Sequence, residues 1–260
     1  MLKVERNVPL LRATDPQHGN VQTFLERLLV EAVAGNYRHF LHEQLASSAL
    51  HEDAPEEHCW PPLLSNERQV GGLFATALSS VCPVSRPEVA IRRPASKTGK
   101  TDRHGSIDFV ALFGHRYIGL EVKQVPMSTT AAGDLVVVGD RWNEVKSQSK
   151  GVMAHLRSDK AAYPHPVTIG LLVVRVSRAV AKKSSVEDAR LQAIADMDGV
   201  VKALNTRLKP DFLARYIPPA EMQAFRSPKK TGIQVYPGIV FAAIVHGRQA
   251  NKKKASAKKT

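Results

Sequence analysis

The sequence predicts an α/β fold in which helices flank a mixed central sheet. Three observations point there. Apolar residues recur at helical spacing in four separate stretches, short β-rich runs cluster between the second and third of these, and two late segments are almost wholly apolar.

The first helix is expected over 20–46, where Phe24, Leu25, Leu28, Leu29, Ala32 and Val33 form one stripe. Residues 50–64 hold three prolines and read as a connection. A second helix is expected from Asn66, whose side chain stands three residues before Gln69 at capping-box spacing. Val70, Leu73, Phe74, Ala77 and Leu78 are its apolar stripe. A short strand at 88–92 and a basic loop from Arg92 to Gly105 follow.

Two strands come next, 106–113 and 117–125, with only Gly114, His115 and Arg116 between them, so they are expected to form a hairpin. In the second, Ile118, Leu120 and Val122 share one face and Gly119, Glu121 and Lys123 the other. That strand is expected to stop at Pro126, and Leu135–Val138 reads as a short strand. A third helix is expected after Asp140, with Trp142, Val145, Val152, Met153 and Leu156 inward. Residues 168–176 read as a buried strand, 185–208 as a fourth helix and 238–245 as a last buried strand. These elements divide the 260 residues into an N-terminal helical extension (1–62), a core (63–180), a helix and strand packed on it (181–247) and a basic tail expected to be disordered (248–260).

The net charge is +13, which favours polyanionic partners because lysine and arginine displace counterions from phosphates. Five of these charges are Lys252, Lys253, Lys254, Lys258 and Lys259. Cys59 and Cys82 form no zinc-binding spacing. No secretory leader or apolar run of membrane-spanning length is seen, so a cytoplasmic protein is expected.

Asp108 and Glu121 lie on the two hairpin strands, thirteen residues apart. Two carboxylates at one end of adjacent strands can share a hard cation. A lysine two residues after the second, Lys123, points to the same face and can orient a water or neutralise charge on a phosphate. Helix, three strands, helix and strand, with Ile107-Asp108 on the second strand and Glu121-Val122-Lys123 on the third, resembles the PD-(D/E)XK nuclease superfamily over 66–176. Ile107 stands where the family's name has proline. The resemblance implies a restriction endonuclease-like αβββαβ core with extra terminal helices. It also implies hydrolysis of DNA phosphodiester bonds with Mg²⁺, for which Mn²⁺ substitutes. Asp108 and Glu121 are then the metal ligands and Lys123 the third catalytic group. Glu67 on the preceding helix and Gln148 on the following one are supporting candidates. A glutamate in a first helical turn also simply complements the helix dipole.

Glu144-Val145-Lys146 repeats the tripeptide but falls in a predicted helix, where residues two apart point away from each other. Arg92, Arg93, Lys97, Lys100 and Arg103 are expected to contact the phosphate backbone. The Walker-like 95–101 is rejected because Pro94 replaces the first glycine and a strand follows. His104 and His115 flank the Asp108 strand and read as loop histidines. DNA, a homodimer mate or a larger repair or phage-defence complex are the partners considered, and no membrane. The rival readings are a nuclease-fold protein without catalysis that binds nucleic acid, and an assembly subunit.

Overall fold

The computed structural model describes residues 2–5, 16–50, 61–93, 103–129, 134–180, 185–226 and 233–247. The chain is an α/β protein with helices on both faces of one mixed sheet. Strand β1 (Leu2–Glu5) precedes helix α1 (Pro16–Leu50). A 3-10 turn at Pro62–Leu64 leads into α2 (Glu67–Val81). Then come β2 (Val84–Arg93), β3 (Arg103–Phe113), β4 (Arg116–Ser128), α3 (Asp134–Ser158) and β5 (Val167–Ala179). The chain closes with α4 (Val186–Leu208), β6 (Phe212–Tyr216), β7 (Ala224–Arg226) and β8 (Ile233–His246). From α2 to β5 the order is αβββαβ, as the sequence predicts.

The strands lie in the order β1-β6-β8-β5-β4-β3-β2, with β7 added to β8. All pairs are antiparallel except β4 with β5. That parallel pair needs a crossover, and α3 supplies it. Helices α1 and α2 cover one face through Phe24, Leu28, Phe74 and Leu78, packed on Leu120, Val122, Leu171 and Phe241. Helices α3 and α4 cover the other through Trp142, Val145, Met197 and Leu204, packed on Val125, Leu172, Val174 and Val240. No helix among the described residues is long and apolar enough to cross a membrane.

Several sequence expectations change. Leu135–Val138 is not a strand but the first turn of α3: Asp134 accepts a hydrogen bond from Ser128 N at 2.6 Å, and Val138 is buried while Val136 and Val137 are exposed. Three consecutive valines suggested β-structure, and the tertiary position of one overrides that propensity. Strand β4 does not stop at Pro126, which pairs with Arg175 of β5. The β3 ladder ends at Leu120, so among the described residues the other edge of β4 has no strand beside Pro126, and a residue without N–H is tolerated there. Arg92, Arg93 and Arg103 are not loop residues. They close the β2–β3 ladder, where Arg92 pairs with His104 and Arg93 with Arg103. Strand β2 starts four residues earlier than expected and carries Glu88 at φ 49°. The hairpin turn holds two residues, with Gly114 at φ 60°. Strands β1, β6 and β7 were not anticipated. The tail 248–260, Lys97, Lys100 and Cys59 lie outside the described residues.

Candidate active site

Asp108 and Glu121 are brought together by the β3–β4 register. The last rung of that ladder is Phe109 opposite Leu120, and Asp108 and Glu121 are the next residues on their two strands. The ladder opens there because the Asp108 side chain takes over the role of a backbone acceptor. Its Oδ2 accepts a hydrogen bond from Val122 N at 2.8 Å. The Asp108 carboxylate is thus fixed against β4 at the residue between Glu121 and Lys123. Side-chain alternation also breaks here: Ile107 and Val110 both pack with Val152 and Leu156, while Phe109 joins the core beneath α2.

Glu121 is 2% exposed. It lies under α3, which approaches β4 and β5 closely because two glycines flank the glutamate. A Cβ on Gly119 would fall 2.9 Å from Val152 Cγ1, and one on Gly170, paired with Glu121, 2.5 Å from Val145 Cγ1. A buried carboxylate is costly to keep charged unless positive charge lies beside it.

Lys123 extends to the N-terminus of α2, where its Nζ donates to Glu67 Oε1 at 3.0 Å. The other oxygen of Glu67 accepts from Arg141 Nη2 at 2.5 Å. Arg141 also donates from Nη1 to Glu144 Oε2 at 2.6 Å, and Glu144 Oε1 accepts from Gln148 Nε2 at 3.2 Å. Lys123, Glu67, Arg141, Glu144 and Gln148 are therefore one chain of charge-assisted hydrogen bonds running from β4 across the α2 terminus onto α3. Burial pulls the Glu67 pKa up, but the hydrogen bonds and charges of Lys123 and Arg141 outweigh it and hold the carboxyl below the usual range. Burial likewise opposes the charge on Arg141, and Glu144 and Glu67 more than compensate.

The base of this chain is built from the sequence upward. Asn66 caps α2 by accepting from Gln69 N at 3.0 Å, which fixes Glu67 in the first turn. The preceding segment is tied to the sheet by Gln124 Nε2, which donates to Leu63 O at 3.1 Å, and by Arg175 Nη1, which donates to Leu64 O and to Ser65 O. Asn36 of α1 accepts from Leu63 N at 2.9 Å. Helix α1 therefore helps hold the Glu67 end of α2.

Of the residues singled out from sequence, Asp108, Glu121, Lys123 and Glu67 gather at this end of β4. Gln148 joins through Glu144 rather than by direct contact with the carboxylates, and its Oε1 is shielded from solvent without a hydrogen-bond partner. Arg103 stands five residues along β3 from Asp108, about 16 Å at strand rise. Nothing in the described residues brings the five basic residues to the carboxylates. Arg141 and Glu144 were missed. Their signal was in the sequence: 141, 144 and 148 share one helix flank at i, i+3 and i+7.

Among the described residues no group of three or more His, Cys, Asp or Glu forms a metal-holding cluster. The pair Asp108 and Glu121 offers hard oxygen donors of the kind Mg²⁺ takes when water and phosphate fill its other positions. The donor chemistry fits that ion, and among the described residues no cysteine or histidine stands with the pair as zinc would favour. No family model, curated protein or solved structure matches the chain.

Proposed function

We propose that the chain is a Mg²⁺-dependent nuclease of the PD-(D/E)XK type that hydrolyses phosphodiester bonds of DNA. The observation that carries this reading is the opening of the β3–β4 ladder at Asp108 and Glu121, with Lys123 two residues on. Those two carboxylates hold the metal. When bound, Mg²⁺ supplies Lewis-acid polarisation of the scissile phosphate and a lowered pKa for an attacking water. Lys123 orients that water or balances charge on the phosphate. Glu67 acts by holding Lys123, and Arg141 and Glu144 fix Glu67 in turn. The net charge of +13 supports a polyanionic substrate, and DNA rather than RNA follows from the family resemblance alone.

The test is incubation with supercoiled, linear and single-stranded DNA in Mg²⁺, Mn²⁺ or EDTA. Metal-dependent cleavage by the wild type that Glu121→Ala loses supports the nuclease. Cleavage that persists in EDTA, or in the variant, removes it.

One observation favours a second reading, a nuclease-fold protein that binds nucleic acid without cutting it. Lys123 is already committed to Glu67, and its side chain is only 15% exposed. Salt-sensitive DNA binding with no cleavage in either metal selects that reading.

A further inference from the structure

The sequence assigned phosphate contacts to the 92–103 segment, most of which lies outside the described residues. The second half of α3 gives a described basic surface. Between Val145 and Ser158 that helix carries no acidic residue, while Lys146, Lys150 and Arg157 stand at i, i+4 and i+11. At about 100° per residue these three fall within roughly 40° of one another, in a single line about 16 Å long. Arg141, Glu144 and Gln148 lie on the opposite flank, roughly 160–220° away. The cation line is thus on the other flank of α3 from the Glu67–Arg141–Glu144–Gln148 hydrogen-bond chain.

His246, at the end of β8, is fixed beside this line. Its Nε2 lies 3.2 Å from Oγ of Ser149, which sits between Lys146 and Lys150 in sequence. Arg157 Nη2 donates to Gly247 O at 2.8 Å, so the chain leaves β8 against the third cation. Burial lowers the His246 pKa, Asp211 opposes this, and Lys150, Arg157 and Lys146 lower it further, so these charges share one electrostatic environment. Asp211 is the acid beside the histidine, and its Oδ2 is engaged by Val245 N at 2.8 Å.

We propose that the Lys146, Lys150 and Arg157 line of α3, with His246 alongside, is a second nucleic-acid surface that grips the phosphate backbone on the flank of α3 opposite Arg141, Glu144 and Gln148. Laid along a duplex axis, the line matches the rise of about five phosphates of one strand at about 3.4 Å each. The helix surface beside it is small: Ser147, Ala154 and Ser158 are exposed, and a Cβ on Gly151 would meet nothing within 4 Å. A protein partner needs aromatic or large aliphatic anchors at the centre of its interface, and this surface has none. A nucleic-acid backbone needs close approach and positive charge, which it does have. Past Gly247 the sequence continues with Arg248 and five lysines and no acid, in the same sense of charge.

The test is fluorescence anisotropy of the full chain with a labelled 20-base-pair duplex, in EDTA over 50–300 mM salt, so that no cleavage contributes. Lys146→Gln with Lys150→Gln removes two cations and leaves the Arg157 hydrogen bond to Gly247 in place. The slope of log affinity against log salt is expected to fall by about 1.8, at about 0.9 for each phosphate no longer neutralised. An unchanged melting curve checks the fold. An unchanged slope in a folded double variant overturns the proposal. So does displacement of the duplex by polyglutamate as readily as by unlabelled DNA at equal charge, because the surface then serves acidic protein chains. If the protein proves unable to cleave DNA but the slope falls, this surface stands and only the nuclease reading is lost.

Discussion

Asp108 is tied to Val122: the aspartate Oδ2 accepts the Val122 N–H at 2.8 Å, where the β3–β4 ladder has already ended. One side chain thus does two jobs, joining the strands and holding a carboxylate against β4 between Glu121 and Lys123. The two jobs separate by substitution. Asp108→Asn keeps an amide oxygen to accept from Val122 N but removes the charge. It is expected to melt within a few degrees of wild type while losing at least about 100-fold in cleavage rate. Asp108→Ala loses the strand tie as well and is expected to cost a further 1 kcal/mol or so of stability. Full cleavage by Asp108→Asn would exclude the aspartate as a metal ligand.

The depressed pKa of Glu67 has a consequence for acid stability. A carboxyl whose folded pKa lies below its unfolded value contributes stability that is present above the unfolded pKa and is lost as pH falls through the folded one. The window therefore opens near 4.5 and extends downward. Glu67→Gln is expected to be less stable than wild type at pH 7 and to approach it as pH falls below that window. Because the Glu67 side chain is 40% exposed, the difference at pH 7 is expected to be about 1 kcal/mol or less. Urea midpoints at pH 3 to 7 for both proteins measure it, and parallel curves would show that Glu67 is not paired in solution.

How far the sequence reached this arrangement depended on where the information lay. Asp108, Glu121 and Lys123 were legible because the two-residue period of a strand is local and a short connection between two β-rich runs implies a hairpin. Which strand lies beside which is not local, so the join of β1 to β6 and of β6 to β8 was not visible. Glu144 sits in a helix, as predicted, and forms no second strand motif. Yet the helical flank of 141, 144 and 148 reaches the terminus of another helix, and that meeting depends on how α2 and α3 pack on the sheet. Val136 and Val137 suggested a strand because propensity sees residue type and not the Asp134 contact that starts the helix.

Gly170 is where α3 presses on the sheet. An added Cβ would lie 2.5 Å from Val145 Cγ1, 2.9 Å from Ser149 Oγ and 3.1 Å from the Val145 carbonyl oxygen. The last of these atoms is backbone, and no rotamer change moves it. Gly170→Ala is expected to destabilise by about 1–3 kcal/mol through overpacking. Since Gly170 pairs with Glu121, the displaced helix also disturbs the carboxylate beneath it. Thermal melts and cleavage rates are expected to fall together, whereas Gly151→Ala, with nothing within 4 Å, should melt slightly higher, by roughly 0.5–1 kcal/mol of helix propensity.

Cys82 is 6% exposed, and burial pushes its thiol up to about 11. At pH 8 it is expected to resist thiol reagents in the native state and to react on unfolding in urea, because the thiolate is the nucleophile. Mass spectrometry of the peptide carrying Cys82 after timed labelling checks this. Rapid native labelling would mean that the end of α2 opens readily.

Metal binding itself is separable from catalysis by stability measurements. Glu121 is buried, and the Asp108 carboxylate is tied to the N–H of the next residue, Val122, so two like charges lie close together and disfavour one another without a cation between them. A ligand that binds only the folded state stabilises it by about 2.7 kcal/mol at a hundred times its dissociation constant. For a chain of this size that is a rise of roughly 5–10 °C in melting temperature. Wild type is expected to show such a rise on adding saturating Mg²⁺. Glu121→Gln is expected to melt at or above the wild-type temperature in EDTA, because one of two neighbouring negative charges is gone, and to show no rise with Mg²⁺. A variant that melts lower in EDTA and still responds to Mg²⁺ would place Glu121 in a structural network and move the metal elsewhere. The two temperatures, with and without metal, distinguish a ligand from a support before any DNA is added.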